Sequence, residues 1–276
     1  MTVAEVLAQA RRSVAANEAR LLLRHVIGAS AGEIAAHPER ALDALDRDHY
    51  RTLVARRAAG EPIAYLLGSR EFFGREFQVS PAVLIPRPET ELLVDVAMAK
   101  LRGVARPRIL DLGTGSGCVA ISLALELGAT VTAVDLSAEA LAVARTNARS
   151  LGAAVTFMVS DWYSAVGGRF DLIVANPPYV AEGDPHLSAG DLRFEPSMAL
   201  ACGTDGLSAI RRIVAEAPRC LSPGAWLFLE HGYDQASAIR DLLAGHFTDI
   251  EQHRDLAGIV RVSGGRCAAG GAPSLS

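Results

Sequence analysis

Residues 108–117, Arg-Ile-Leu-Asp-Leu-Gly-Thr-Gly-Ser-Gly, constrain the fold of this chain more than any other stretch. A short apolar strand runs into three alternating glycines. Val119, Ala120, Leu123, Ala124 and Leu127 then recur at helical spacing. Strand, glycine loop and helix together open the nucleotide-binding half of a doubly wound sheet. The next apolar run, Thr130–Val134, ends at Asp135, where a carboxylate can accept hydrogen bonds from both hydroxyls of a ribose. Further strands and helices alternate to about residue 253, as a parallel sheet covered on both faces requires. The runs 247–253 and 259–262 have only a short link between them and are expected to pair antiparallel.

The glycine spacing separates two classes of ligand. A dinucleotide loop reads G-x-G-x-x-G, with its last glycine beside a pyrophosphate. Here Gly113, Gly115 and Gly117 read G-x-G-x-G, and Cys118 stands where that last glycine would be. The pattern favours S-adenosylmethionine, whose amino-acid end and ribose can approach the glycine backbone, over a nicotinamide dinucleotide. Gly113, Thr114, Gly115, Ser116, Gly117 and Asp135 are the expected donor-binding residues.

A second motif points to the acceptor. The buried strand pattern Phe170–Ala175 ends in Asn176-Pro177-Pro178-Tyr179. Consecutive prolines fix φ and remove two backbone donors, so the Asn176 and Pro177 carbonyls have few local donors competing for them. The Asn176 side chain adds an acceptor and Tyr179 a flat wall. Two acceptors beside an aromatic ring suit a planar –NH₂ group. Asn176, Pro177 and Tyr179 are the expected catalytic residues, with Pro178 completing the acceptor-binding lip and Asn176 also touching the donor.

Bulk properties bound the rest. A length of 276 residues favours two domains. Half the residues are apolar, enough for a large core without disulfides. Cys118, Cys202, Cys220 and Cys267 show no paired metal spacing, and no metal is expected. They suit a reducing cytoplasm. A net charge of −4 argues against direct nucleic-acid binding through charge, and no stretch approaches the roughly 18 apolar residues of a membrane span. A monomer is expected.

Residues 1–68 read as short helices forming a small domain, expected to bind a partner, although the residues do not separate that role from a cap on the core. Thr2–Glu5 and Ser30–Glu33 have capping-box spacing, Asn17 is an expected cap, and Asp43–Arg57 is an amphipathic helix stopped by Gly60. Residues 69–88 comprise a hairpin about Gly74-Arg75 and a proline-rich linker. Residues 89–264 form the catalytic domain, beginning with a helix over 89–101, and 265–276 form a flexible tail.

Over nearly its whole length the chain resembles the methyltransferases that modify the glutamine side-chain amide of peptide chain release factors. The resemblance rests on Gly60–Tyr65, Glu71-Phe72 with Gly74, Leu84–Glu91, Asp111–Gly117, Asn176–Tyr179, Phe194–Pro196, Gly203 with Asp205–Leu207, and Glu230–Tyr233. The Ile-Pro-Arg-Pro-Glu-Thr segment at 85–90 discriminates, because Asn-Pro-Pro-Tyr also occurs in nucleic-acid amino-methyltransferases. The resemblance implies a seven-stranded Rossmann-like class I methyltransferase domain behind a helical N-terminal domain, with S-adenosylmethionine as donor. It also implies the glutamine of a Gly-Gly-Gln tripeptide as acceptor, with release factors as partners. By the same resemblance Asp161 and Trp162 flank the adenine, Asp161 accepting from its amine. Arg87, Glu89 and Thr90 would bind the donor or position the acceptor. Phe194 and Glu195 would belong to a mobile flap, and Glu230 and His231 would support the site from behind. The competing expectation is an amino-methyltransferase of adenine or guanine. A dehydrogenase and a catalytically dead binding module fit the motifs less well.

Overall fold

A computed structural model describes residues 1–188 and 190–268. The chain divides into two compact units, Met1–Ser69 with Gly190–Phe194, and Arg70–Ala189 with Glu195–Ser276.

The first unit is helical: α1 (Val3–Ala10), α2 (Ala16–Ile27), α3 (Ala31–Ala36), α4 (Ala44–Ala58) and α5 (Ile63–Leu67). Both expected capping boxes form, at Thr2–Glu5 and Ser30–Glu33, and Asp43 caps α4. Asn17 does not cap; α2 starts at Ala16 without a side-chain cap and ends at the left-handed Gly28. Leu22, Leu23 and Tyr50 are fully buried between the helices, and the Tyr50 hydroxyl donates to the Ala19 carbonyl (3.1 Å). Residues 190–194 pack here: Arg57 bridges Glu18 and Asp191, and Arg193 donates to the Ala59 carbonyl.

The second unit opens with the hairpin β1 (Ser69–Phe72) and β2 (Arg75–Gln78). A 3-10 turn, Pro88–Thr90, then precedes α6 (Glu91–Lys100), because Pro88 favours a tight first turn over a full helical start at residue 89. The remaining elements are β3 (Arg108–Leu112), α7 (Cys118–Leu127), β4 (Thr130–Asp135), α8 (Ala138–Leu151), β5 (Val155–Val159), β6 (Phe170–Ala175), α9 (Ser208–Cys220), β7 (Leu221–Glu230), α10 (Ala236–Ala244), β8 (Phe247–Arg254) and β9 (Val260–Cys267). Seven strands form one sheet in the order β5-β4-β3-β6-β7-β9-β8. All pairs from β5 to β7 are parallel, and β9 runs antiparallel to both neighbours.

Alternate residues of each strand face opposite sides. Ile109, Val131, Leu172 and Val174 pack with α6, α7 and the hairpin, whereas Leu110, Leu112, Ile173 and Leu229 pack with α9 and α10. Strand order reverses at β3, so the crevice beyond the carboxyl ends of β3, β4 and β6 is where a ligand belongs. The expected tail from residue 265 is corrected. Gly265, Arg266 and Cys267 continue β9, pairing with β7 and β8. Gly264 and Gly265 carry no side chain because a Cβ at the first would overlap Phe228 and one at the second would meet Phe247 Cβ at 2.6 Å. Two glycines read locally as fraying are there for close packing. The rest of the expected tail, 269–276, lies outside the described residues.

Candidate active site

The glycine loop is set by backbone geometry. The Gly113 and Thr114 amides both donate to the Val134 carbonyl (2.9 Å each), folding the loop onto the end of β4. All three glycines have positive φ, a region that other residues enter at a cost. Their surroundings differ. A methyl at Gly115 would stand in open space, whereas one at Gly117 would meet Ile121 Cδ1 at 2.9 Å and Ala144 Cβ at 3.1 Å. Gly117 therefore serves the close packing of α7 on α8.

Asp135 holds the loop as well as facing the cavity. Its Oδ2 accepts from the Gly115 amide (2.8 Å) and its Oδ1 from the Ser137 amide (2.9 Å). Each oxygen keeps a further acceptor site. Ser137 caps α8 by accepting from the Ala140 amide.

A cavity of about 370 Å³ lies over this loop. Gly113, Thr114, Gly115, Ser116 and Asp135 border it, as do Asp161, Trp162, Asn176 and Pro178; Gly117, Pro177 and Tyr179 do not. Both oxygens of Asp161 already accept from Arg212 (2.8 Å each), so an adenine amine would share them. Trp162 has φ 50°, uncommon for a bulky residue. Ser160 steadies that turn, donating to the Trp162 carbonyl (2.8 Å) and accepting from the Ala165 amide (3.0 Å). The Trp162 ring stands 3.5 Å from where a Gly113 Cβ would be, which gives that glycine a second reason.

The lip is clamped at both ends. Upstream, Ala175 pairs with Leu112 and Leu229 within the sheet. Downstream, the Val180 amide donates to the Leu200 carbonyl and the Cys202 amide to the Val180 carbonyl (2.9 Å each). Gln235 Nε2 donates to the Tyr179 carbonyl (2.9 Å). Tyr179 is half-buried and packs against the core on the face of the sheet that α9 and α10 cover. Burial raises its phenol above the usual range. Asn176 Nδ2 donates to Thr90 Oγ1 (3.2 Å), and among the described residues Asn176 Oδ1 accepts from no protein donor.

The proline-rich segment supplies one wall through Leu84, Pro86, Arg87 and Thr90; Glu89 does not reach the cavity. Glu195 corrects the expectation of a mobile flap at its position. Its side chain is fully buried, accepts from the Ile85 amide (3.0 Å) and is ion-paired with Arg87. Pro196, Met198 and Ala199, which follow it, border the cavity. The buried His231 donates from Nδ1 to the Gly232 carbonyl and accepts at Nε2 from the Ser263 hydroxyl (2.8 Å each), joining β7 to β9. Burial holds its pKa below the usual value, consistent with a neutral ring.

One residue escaped sequence reasoning. Asn147, buried on α8, donates to the carbonyls of Ser116 (2.9 Å) and Gln78 (3.0 Å) and accepts from the Gln78 amide (2.7 Å). It ties the hairpin to the glycine loop. An amide on the apolar stripe of Leu141, Ala144 and Ala148 was the available signal.

Asp111 lies under the loop, accepting from the Thr114 hydroxyl (2.6 Å). Burial is the main force raising its pKa to about 7; the Thr114 bond opposes this and the nearby Asp135 charge adds to it. A cavity floored by such a carboxylate, with open backbone at Gly115, fits a ligand that carries a sulfonium and an ammonium. The free chain then holds about half a proton on Asp111 at pH 7. Entry of a cation favours the carboxylate, so donor binding is expected to release that fraction. Calorimetry in buffers of different ionisation enthalpy should show the release at pH 7 and its loss in Asp111→Asn. The folded pKa lies above the unfolded one, so Asp111 makes the empty chain less stable as pH rises from about 4 to 7.

The family model "PrmC N-terminal domain" matches residues 2–68, and "Methyltransferase small domain" matches 88–196. The release factor glutamine methyltransferase of Burkholderia pseudomallei (strain K96243) is 54% identical over 259 residues, covering 90% of this chain and 91% of the relative. That of Bordetella pertussis (strain Tohama I) is 54% identical over 253 residues, covering 90% and 93%. Among solved structures, a methyltransferase from Pyrococcus furiosus matches with TM-score 0.53 at 20% identity, covering 77% of this chain and 96% of the other. The T. thermophilus 16S rRNA N2 G1207 methyltransferase matches with TM-score 0.55 at 23% identity. That match covers 72% of this chain but only 49% of the larger protein. Both structural matches bear on the fold alone.

Sheet order, glycine loop and cavity define a class I methyltransferase, whose donor is S-adenosylmethionine. The chain belongs to the release factor glutamine methyltransferase family.

Proposed function

We propose that this chain methylates the side-chain amide nitrogen of the Gly-Gly-Gln glutamine in peptide chain release factors, with Asn176 as the residue that holds that amide. The observation that carries the reading is the Asn176 carboxamide, tied through Nδ2 to Thr90 and bordering the cavity, with Oδ1 free of donors among the described residues.

S-adenosylmethionine supplies an electrophilic methyl group on a sulfonium. The glycine loop and Asp135 would hold its amino-acid end and ribose, with Asp161 and Trp162 beside the adenine. An amide nitrogen is a poor nucleophile because its lone pair is delocalised into the carbonyl. Asn176 Oδ1 accepts one N–H of the glutamine amide, and the Pro177 carbonyl, to which no described residue donates, accepts the other. The two acceptors fix the nitrogen in line with the methyl group and favour the positive charge that grows on it during transfer. Once methylated, the nitrogen is strongly acidic and loses its proton to water without a dedicated base. Tyr179 would offer a flat face beside the substrate amide, and its carbonyl bond to Gln235 braces the lip.

The test is transfer of labelled methyl to a purified release factor, to the same factor with its Gly-Gly-Gln glutamine replaced, and to DNA and RNA. Label is expected in the first alone. Equal label in the glutamine-replaced factor, or label in nucleic acid only, overturns the reading.

A further inference from the structure

Glu230 ends β7 one residue beyond Leu229, which pairs with Ala175. It therefore stands level with Asn176 on the neighbouring strand. It is 2% exposed, and its Oε2 is buried without a hydrogen-bond partner among the described residues. The Thr90 hydroxyl and the Asn176 amide are near enough for their donor character to lower the pKa of the carboxylate. Thr90 Oγ1 accepts from Asn176 Nδ2, which leaves the Thr90 proton to be given to Glu230.

A carboxamide has two ends of nearly equal shape and opposite polarity. Reversed, Asn176 would set its oxygen against Thr90 and Glu230 and offer N–H donors to a substrate amide that also needs acceptors. Packing alone does not distinguish the two orientations; a carboxylate behind the NH₂ end does. We propose that Glu230 is a positioning residue which, through Thr90, fixes the Asn176 carboxamide with its nitrogen inward and its oxygen toward the cavity. This rests on the reading of Asn176 given above.

The device responds to pH. Burial is the main force that raises Glu230 to a pKa of about 7; the Thr90 bond lowers it, the Glu89 charge raises it, and Arg261 and the Asn176 amide lower it. Tyr179 and Cys118 also feel its charge. Above that pKa the carboxylate draws the Thr90 proton, which leaves Thr90 Oγ1 to hold the Asn176 nitrogen. Below it the acid has its own proton to donate, and the preference for one Asn176 orientation weakens.

The experiment follows the Asn176 side-chain NH₂ resonances in the ¹⁵N-labelled, ligand-free full chain from about pH 5.5 to 8.5. Their disappearance in Asn176→Ala assigns them. They are expected to shift with a midpoint near 7 in the parent chain and to lose that midpoint in Glu230→Gln. In turnover assays Glu230→Gln should lower kcat about tenfold, leave both KM values within about twofold, and add nothing in the Asn176→Ala background. Should Glu230→Gln fail to fold, Thr90→Val carries the same test by removing the intermediary. Resonances that do not titrate, a titration unchanged in both variants, or losses that multiply in the double variant would overturn the proposal. If no release factor is methylated at all, the proposed function fails, while the resonances still decide the role of Glu230.

Discussion

Asn176→Ala is expected to lower kcat by roughly 10²-fold or more while leaving donor affinity within a few-fold. On the proposed mechanism the substitution removes one of two acceptors for the substrate amide. It also releases the Thr90 hydroxyl from its Nδ2 partner. The donor cavity, floored by Asp111 and walled by the glycine loop and Trp162, stays in place. The loss should thus appear in turnover and spare binding, which separates an acceptor-holding residue from one that merely shapes the pocket. Single-turnover methyl transfer with saturating donor measures the first quantity, and equilibrium titration of the donor the second. Turnover near that of the parent chain would remove Asn176 from the mechanism.

The second large effect is expected at Gly206→Ala, a position outside the cavity. Its φ is 69°, and an added methyl would overlap the Tyr179 carbonyl oxygen and lie 3.0 Å from Gln235 Nε2. Backbone cannot step aside as a side-chain tip can. The variant must move the carbonyl that Gln235 holds, and the lip with it. A displacement near 1 Å at a reacting amide can cost about 10²-fold in rate. Gly183→Ala is the control. It has φ 84° in the same connection between β6 and α9, with nothing within 4 Å of the added methyl. It should show only the strain of a left-handed residue, about 1–2 kcal/mol in stability, and near-normal kcat. Equal kcat losses in the two variants would mean that contact with Tyr179 is not what places the lip.

The sequence was most informative where one local pattern had one structural meaning. The run 108–117 could hardly be other than strand, glycine turn and helix, and the proline pair after β6 could only end that strand. Asp135 and Asn176 were expected at the cavity for the same reason, since each stands where a strand ends at the edge where such folds bind ligands, and both border it. What stayed hidden depends on contacts distant in the chain. Asn147 acts on Ser116 and Gln78, 31 and 69 residues away. Glu195 meets Ile85 across 110 residues, so a residue expected in a mobile flap is pinned by a contact that no local pattern announces. Gly264 and Gly265 looked like fraying because the rings they accommodate belong to other strands. Tyr179 was placed beside the substrate from its position after the prolines; it is half-buried against the core and does not border the cavity.

The residue that follows Asn176 also bears on how long the site lasts. Asparagine ages chiefly when the next backbone nitrogen attacks the side-chain carbonyl, closing a succinimide ring that opens to aspartate or isoaspartate. Proline at position 177 has no N–H and cannot close that ring in the usual way. The same pyrrolidine ring that stiffens the rim therefore shields the Asn176 side chain from the commonest spontaneous damage to its kind.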